Sequence, residues 1–399
     1  MLLKNLNILF VTAHFPYPIV GGERVKQYHI IKHLAKNNNV NIVSFDRNYP
    51  VTENDVKQMK EMGIESYVFH LNKFKSYFSA ALYSPFRHPL EIEFFWDGRF
   101  RNKINEIIRT QKIDLIINYF LRTAEFVKNF KIKKILMAED CRWFYQQKTY
   151  KISKNPRQKL IRYFESVKLR NYESAIMDYF DLTTLVSQKD LDCMKTVNQN
   201  AKLEILTNGV DTEKYLIKNN SENRKDLIFV GKLDVWINRL MLNKIINKIF
   251  PKIKSQIHDI KLHIVGANPA KDLLKKSDSN IIVHNYIEDF SGLLNESAVF
   301  LHPHEGGSGI QNKLLEAMAC GCPVVTSVSG ANGIEIINGE TGFIANTYND
   351  FIRYALNILN DLELRKKISA NSRAYIEKHH KWEYVFQKLD EQILNVMNS

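Results

Sequence analysis

AVFLHPHEGGSGIQNKLLEAMACGCPVV, residues 298–325, decides how the chain is read. Ala298-Val299-Phe300-Leu301 is a short apolar run of the kind buried in a parallel sheet. Gly306-Gly307-Ser308-Gly309 follows as a glycine loop, and Ile310, Leu314, Leu315 and Met318 then recur at helical spacing. Gly321-Cys322-Pro323 breaks that helix, and Val324-Val325 opens the next strand. Strand, glycine loop, helix, strand is the repeating unit of a parallel α/β sheet. A helix that opens after glycines presents free N–H groups and the positive end of its dipole, which suits a phosphate. Glu316 lies about one turn inside the helix, where a carboxylate can accept hydrogen bonds from a ribose diol. The same glycines also serve as a plain turn between a buried strand and a buried helix, since no full phosphate-loop motif is present.

The rest of the chain repeats this alternation. NILFVT (7–12), 40–45, IDLIIN (113–118) and KILMA (134–138) are short runs suited to buried strands. Between the first two, Val25, Tyr28, Ile31 and Leu34 predict a helix over about 25–36. Residues 74–96 are dense in aromatics and are read as core in preference to an interfacial face. A long charged helix is predicted over 155–176, with Leu160, Tyr163, Val167, Leu169 and Tyr172 as its apolar positions. LEILTNGVDTEKY (203–215) gives a strand, an Asn-Gly turn and an aspartate. Residues 216–226 are polar, with no apolar periodicity after Ile217, and the domain boundary is placed there. A second αβ series follows, with strands at 226–230, 262–265 and 281–284, and an amphipathic helix closes the chain over about 382–397.

At 399 residues the chain suits one or two domains, each able to bury a core. No stretch approaches roughly 18 consecutive apolar residues, and the start has no cleavable signal pattern, so a cytoplasmic protein is expected. Cys141, Cys193, Cys320 and Cys322 lack metal-ligand spacing. The net charge of +13 fits nucleic acid, an anionic membrane or anionic substrates, and no nucleic-acid signature is visible. The excess is uneven: 122–170 holds fourteen Lys/Arg and four Asp/Glu, which reads either as a solvated helical face or as a membrane-facing patch.

Glu316-Ala317-Met318-Ala319 followed by Gly321-Cys322-Pro323-Val324-Val325 resembles the nucleotide-sugar loop of GT-B glycosyltransferases of the family-4 type, glycosyl transferases group 1. Gly309-Ile310-Gln311-Asn312-Lys313 resembles a branch in which Gly-Ile-Gln-Asn-Lys precedes that helix. The family's first glutamate would fall on Ser308 and is missing. Gly21-Gly22 matches the family's N-terminal glycine loop, and Gly231-Lys232 its pyrophosphate turn. A second family lysine falls on Ile237, so Lys313 or Arg239 is expected to replace its charge. Glu139-Asp140 stands where many members carry a histidine, and Tyr286 lies in the loop that reads the base.

The resemblance implies an α/β, GT-B protein of two Rossmann-like αβα domains facing across a cleft. Residues 1–215 would be the acceptor domain and 216–399 the nucleotide-sugar domain, with the helix at about 382–397 packing back on the first domain. It implies a retaining hexosyltransferase acting without cofactor or metal on a nucleotide-sugar donor and a hydroxyl acceptor. The acceptor would be a lipid-linked or cell-surface glycan at the inner face of the plasma membrane, with peripheral contact to anionic lipid. Donor-binding positions would be Gly21, Gly22, Gly231, Lys232, Tyr286, Ser308, Gly309, Ile310, Gln311, Asn312, Lys313 and Glu316. Glu139 and Asp140 would serve the acceptor hydroxyl, with helix capping as the other role open to Asp140. A nucleotide-sugar epimerase and a catalytically inert nucleotide-binding subunit are the rival readings.

Overall fold

In the computed structural model, which describes residues 4–19, 22–47, 50–218, 221–306 and 309–399, the apolar runs line up as two parallel sheets. The first holds β1 (Asn7–Thr12), β2 (Asn39–Phe45), β3 (Ile64–Phe69), β4 (Leu115–Tyr119), β5 (Lys133–Glu139), β6 (Leu182–Leu185) and β7 (Leu203–Ile205). Its order is β3-β2-β1-β4-β5-β6-β7, and every pairing is parallel. The second holds β8 (Lys225–Val230), β9 (Leu262–Val265), β10 (Ile281–His284), β11 (Ser297–His302), β12 (Val324–Ser327) and β13 (Phe343–Ala345), in the order β10-β9-β8-β11-β12-β13. Central strands such as β1 and β11 are buried along almost their whole length, as expected of parallel sheets covered on both faces.

The chain divides into two compact units. One runs to Thr207 and regains Phe386–Ser399; the other is Asn208–Val385. Each has its own core: Leu9, Val43, Phe45, Phe95, Phe100, Ile116 and Leu136 are among the buried residues of the first, and Leu227, Phe229, Ile264, Val299, Leu301 and Val325 of the second. In both sheets the strand order reverses once, between β1 and β4 and between β8 and β11. The loops leaving the carboxyl ends of those strand pairs diverge there, and open α/β sheets bind ligands at such points.

Several elements differ from the sequence expectations. The first helix is Gly22–Ala35, starting three residues early. The aromatic stretch 74–96 is split: Ile92, Phe94 and Phe95 are buried, whereas Phe74, Tyr77, Phe78 and Phe86 are exposed. The expectation of core therefore holds only near its end, over 92–95. The long helix is Pro156–Ile176, with the Asn155 carboxamide accepting from the Arg157 and Gln158 amides at its start. Of its apolar positions Leu169 is buried, while Leu160, Tyr163 and Val167 are exposed. β3 and the capping-boxed helix Glu53–Glu61 lie in a stretch for which no element was expected.

All four cysteines are free thiols; Cys141, Cys320 and Cys322 are buried and Cys193 is half-buried. Burial pushes Cys320 and Cys322 up to about 12. Burial likewise pushes Cys141 up, while the hydrogen bond from Cys141 draws Cys193 down. Among the described residues no helix is long and apolar enough to cross a membrane.

Candidate functional site

In the first unit the polar residues gather at the carboxyl ends of β1, β4 and β5. His14, two residues past β1, is buried and receives a hydrogen bond from Arg122 Nη1 at Nε2, 3.1 Å away. Burial first, then the guanidinium groups of Arg122, Arg47 and Arg24, push its pKa down to about 2, so it stays neutral. Glu91 accepts from Arg122 Nε at 3.1 Å and from Arg142 Nε and Nη2 at 2.9 and 2.8 Å. Burial raises the Glu91 pKa, but Arg142 and Arg122 outweigh it and hold the carboxyl at about 2.

Glu139 ends β5 with φ +70°, and Phe120, just past β4, has φ +67°. Two non-glycine residues in the left-handed region at the ends of adjacent strands mark a strained rim. The Glu139 carboxylate is held by buried Lys26, whose Nζ lies 2.8 Å from Oε1 and 2.7 Å from the Leu206 carbonyl. Burial pushes Glu139 up and Lys26 down, and their contact opposes both shifts. Asp140 lies 3.4 Å from Arg142 Nη1. It does not cap the following helix: the Arg142 and Trp143 amides donate to Glu173 at 2.8 and 2.7 Å.

In the second unit Gly231 and Pro303 directly follow the ends of neighbouring strands β8 and β11. Gly266 has no room for a side chain against this turn, since a Cβ there would fall 1.8 Å from the Gly231 carbonyl oxygen. Lys232 is half-exposed and 3.8 Å from Asp234. Gly309, at φ +72°, turns the chain into Gln311, which precedes the helix Asn312–Ala319 in extended conformation and caps it with no side-chain bond. The Leu314 amide donates to the Gln311 carbonyl at 2.9 Å, and the Asn312 and Lys313 amides before it are the ones that can face an anion. Ile310 is buried, and Asn312 Oδ1 accepts from Asn208 Nδ2 at 2.7 Å.

Glu316 is mostly buried and faces Lys313, whose Nζ lies 2.8 Å from Oε2 and 4.5 Å from the Phe290 ring centre. The Tyr215 hydroxyl shares a hydrogen bond with Glu316, and burial together with that carboxylate keeps the phenol protonated. The structure thus brings Gly309–Glu316 together with Tyr215 and Phe290. Tyr286 is exposed on the loop after β10, and Gly22 begins the first helix. Gly21 and Ser308 lie outside the described residues. Sequence reasoning missed His14, Lys26, Glu91, Arg122, Tyr215 and Phe290, since each is defined by a partner far away in the chain.

Asp190-Leu191-Asp192 has the Asp-x-Asp spacing of a metal-binding pair, contrary to the expectation that the sequence lacks one, but helix structure takes it up: Asp190 is buried on Ser187 and the Cys141 amide, and Asp192 accepts from Gln188 Nε2. Among the described residues no three acidic, histidine or cysteine side chains gather as a metal cluster.

Residues 224–361, which contain β8 to β13 and the Gly309–Glu316 turn, match the family glycosyl transferases group 1. The protein is a glycosyltransferase. The capsular polysaccharide biosynthesis glycosyltransferase CapM of Staphylococcus aureus is 28% identical over 205 residues, 46% of this chain, and the chain spans about half of CapM (52%). An uncharacterized glycosyltransferase of Methanocaldococcus jannaschii is 24% identical over 98% of this chain and its own full length. The structure of Anabaena HepE in complex with UDP and glucose superposes with a TM-score of 0.66 at 14% identity, covering 98% of this chain and all of HepE. The glycosyltransferase has the GT-B fold, two parallel-sheet α/β domains.

Proposed function

We propose that this glycosyltransferase moves a sugar from a nucleotide-sugar donor to the hydroxyl of a lipid-linked or cell-surface glycan, with retention of anomeric configuration. The carrying observation is the Gly309–Glu316 turn: uncapped helix amides beside an oriented carboxylate suit a diphosphate and a ribose together. HepE was solved with UDP and glucose, which supports a nucleoside diphosphate donor here. Lys232, Lys313 and the amides after Gly309 meet the phosphate charge without a metal, with Gly21, Gly22, Tyr286 and Ser308 as further donor contacts. Glu139 and Asp140, on the strained rim of the first unit, orient the acceptor hydroxyl. The enzyme works in the cytoplasm at the inner face of the plasma membrane, where the basic excess over 122–170 favours anionic lipid.

A second reading has one observation in its favour. Glu139 and Glu316 are both already ion-paired, as in a nucleotide-binding subunit without chemistry of its own. Incubating the protein with a panel of nucleotide-sugars and a membrane extract decides between them. Donor-dependent glycan formation, with the anomer read by NMR, supports transfer; nucleotide binding without sugar loss or transfer leaves the inert subunit.

A further inference from the structure

We infer that the first unit docks on anionic membrane by inserting an apolar face built from two helices, Lys73–Tyr83 with its following loop and the start of Pro156–Ile176. This rests on the reading that the acceptor is held at a membrane. On the first helix Phe74, Phe78 and Leu82 recur every four residues and form one stripe; Phe74 is 90% and Phe78 72% exposed. Phe86, in the loop after it, is 87% exposed. On the second helix Leu160, Ile161 and Phe164 form a matching exposed stripe. Isolated exposed apolar residues need no explanation, but a contiguous set of such large ones does.

The two helices are tied together. Lys168 Nζ donates to the Ser84 and His88 carbonyls, and both Glu165 carboxylate oxygens accept 2.9 Å bonds from the Leu90 and Glu91 amides. Behind the exposed side chains the first helix buries Ser76 and Ala80 and the second buries Ser166 and Leu169, while Glu165 and Lys168 border the apolar stripe of the second helix.

Charge selects the occupant. From Leu71 to Leu90 there is no Asp or Glu, while Lys73, Lys75 and Arg87 are present. From Cys141 to Phe164 there are seven Lys/Arg and again no Asp or Glu. Exposed aromatic and aliphatic side chains flanked in the chain by cations match the interface of an anionic bilayer, where rings sit at the headgroup level and lysines reach the phosphates. A second copy of this face would set cation against cation.

Co-sedimentation with phosphatidylglycerol-rich vesicles, free of acceptor, tests this directly. The whole protein should partition onto them, more weakly onto phosphatidylcholine. Phe74→Ser/Phe78→Ser and Leu160→Ser/Phe164→Ser should each lower partition by about tenfold or more, since one buried aromatic ring alone accounts for roughly that factor. Both variants should keep the wild-type melting temperature and nucleotide affinity. Wild-type protein that stays in the supernatant, or variants that bind as well as wild type, would overturn the docking face. A dimer that the variants split, with no vesicle binding, would overturn it in favour of self-association. Vesicle binding with no transfer to any membrane acceptor would count against the proposed function and leave the docking face standing.

Discussion

Lys26 and Glu139 stand 113 positions apart in the chain, yet Lys26 Nζ lies 2.8 Å from Glu139 Oε1, with side chains only 2% and 12% exposed. The pair fastens the first helix to the strained end of β5. Removing one partner leaves a charge buried without compensation, which costs about 3–5 kcal/mol. Lys26→Met should therefore lose about that much in urea unfolding. The double variant Lys26→Met/Glu139→Gln should recover a large part of the loss. A double variant as unstable as the sum of its singles would show that the two residues act separately.

Glu316→Gln keeps the shape of the side chain and removes its charge. A hydrogen bond to a charged group contributes about 1.5–3 kcal/mol, so nucleoside diphosphate affinity should fall about tenfold or more. The ligand-free melting temperature should move little, because Lys313 is 40% exposed and such pairs contribute about 0–1 kcal/mol. Titration calorimetry and thermal melts on the same variant separate the two effects. Unchanged affinity with a lowered melting temperature would make Glu316 a brace of its own helix.

Gly266 and Gly292 should respond oppositely to alanine. At Gly266 a Cβ meets the Gly231 carbonyl oxygen at 1.8 Å, so the β8 turn that carries Lys232 must shift. Gly266→Ala should lower both stability and nucleotide affinity. At Gly292, inside the helix Ser291–Glu296, a Cβ meets nothing within 4 Å. Gly292→Ala should be neutral or stabilise by about 0.4–1 kcal/mol through the unfolded chain. Paired denaturation curves check both directions.

What the sequence made legible is uneven, for a physical reason. The strands Leu262–Val265 and Ile281–His284 and the turn into Asn312–Ala319 follow from local signals, apolar runs closed by glycine, asparagine or proline. β3 is an edge strand whose residues are mostly half-buried, so it carries no apolar run to read. Lys26, Glu91 and His14 look like ordinary helix and loop residues in sequence. Their character comes from partners brought by the sheet, such as Arg122 on His14, 108 positions away. Phe74, Phe78 and Phe86 misled in the other direction: composition says core, and only the packing shows which side of the helix is covered.

His380 makes stability depend on pH. It is buried, its Nδ1 lies 3.0 Å from the Asn208 carbonyl, and burial, with a smaller push from His379, lowers its pKa from 6.5 to about 4. A depressed histidine stabilises the fold above its unfolded pKa, and that contribution is lost as pH falls through the folded value. Stability should fall from about pH 6.5 toward 4, this histidine contributing up to about 1.4 kcal/mol per pH unit. His380→Gln should be less stable at neutral pH and flatten the slope in that window. A slope unchanged by the substitution would assign the acid sensitivity to other groups, such as His14.

The four thiols set how the enzyme can be observed. Cys141, Cys320 and Cys322 are shut away from solvent and stay protonated, whereas Cys193 is partly open and its thiolate is favoured by the bond from Cys141. A maleimide fluorophore at neutral pH should therefore attach once, at Cys193 on the helix Gln188–Lys195. The native chain carries a single reporter position on the first unit, and ligand- or vesicle-induced changes there can be followed by fluorescence without removing any cysteine.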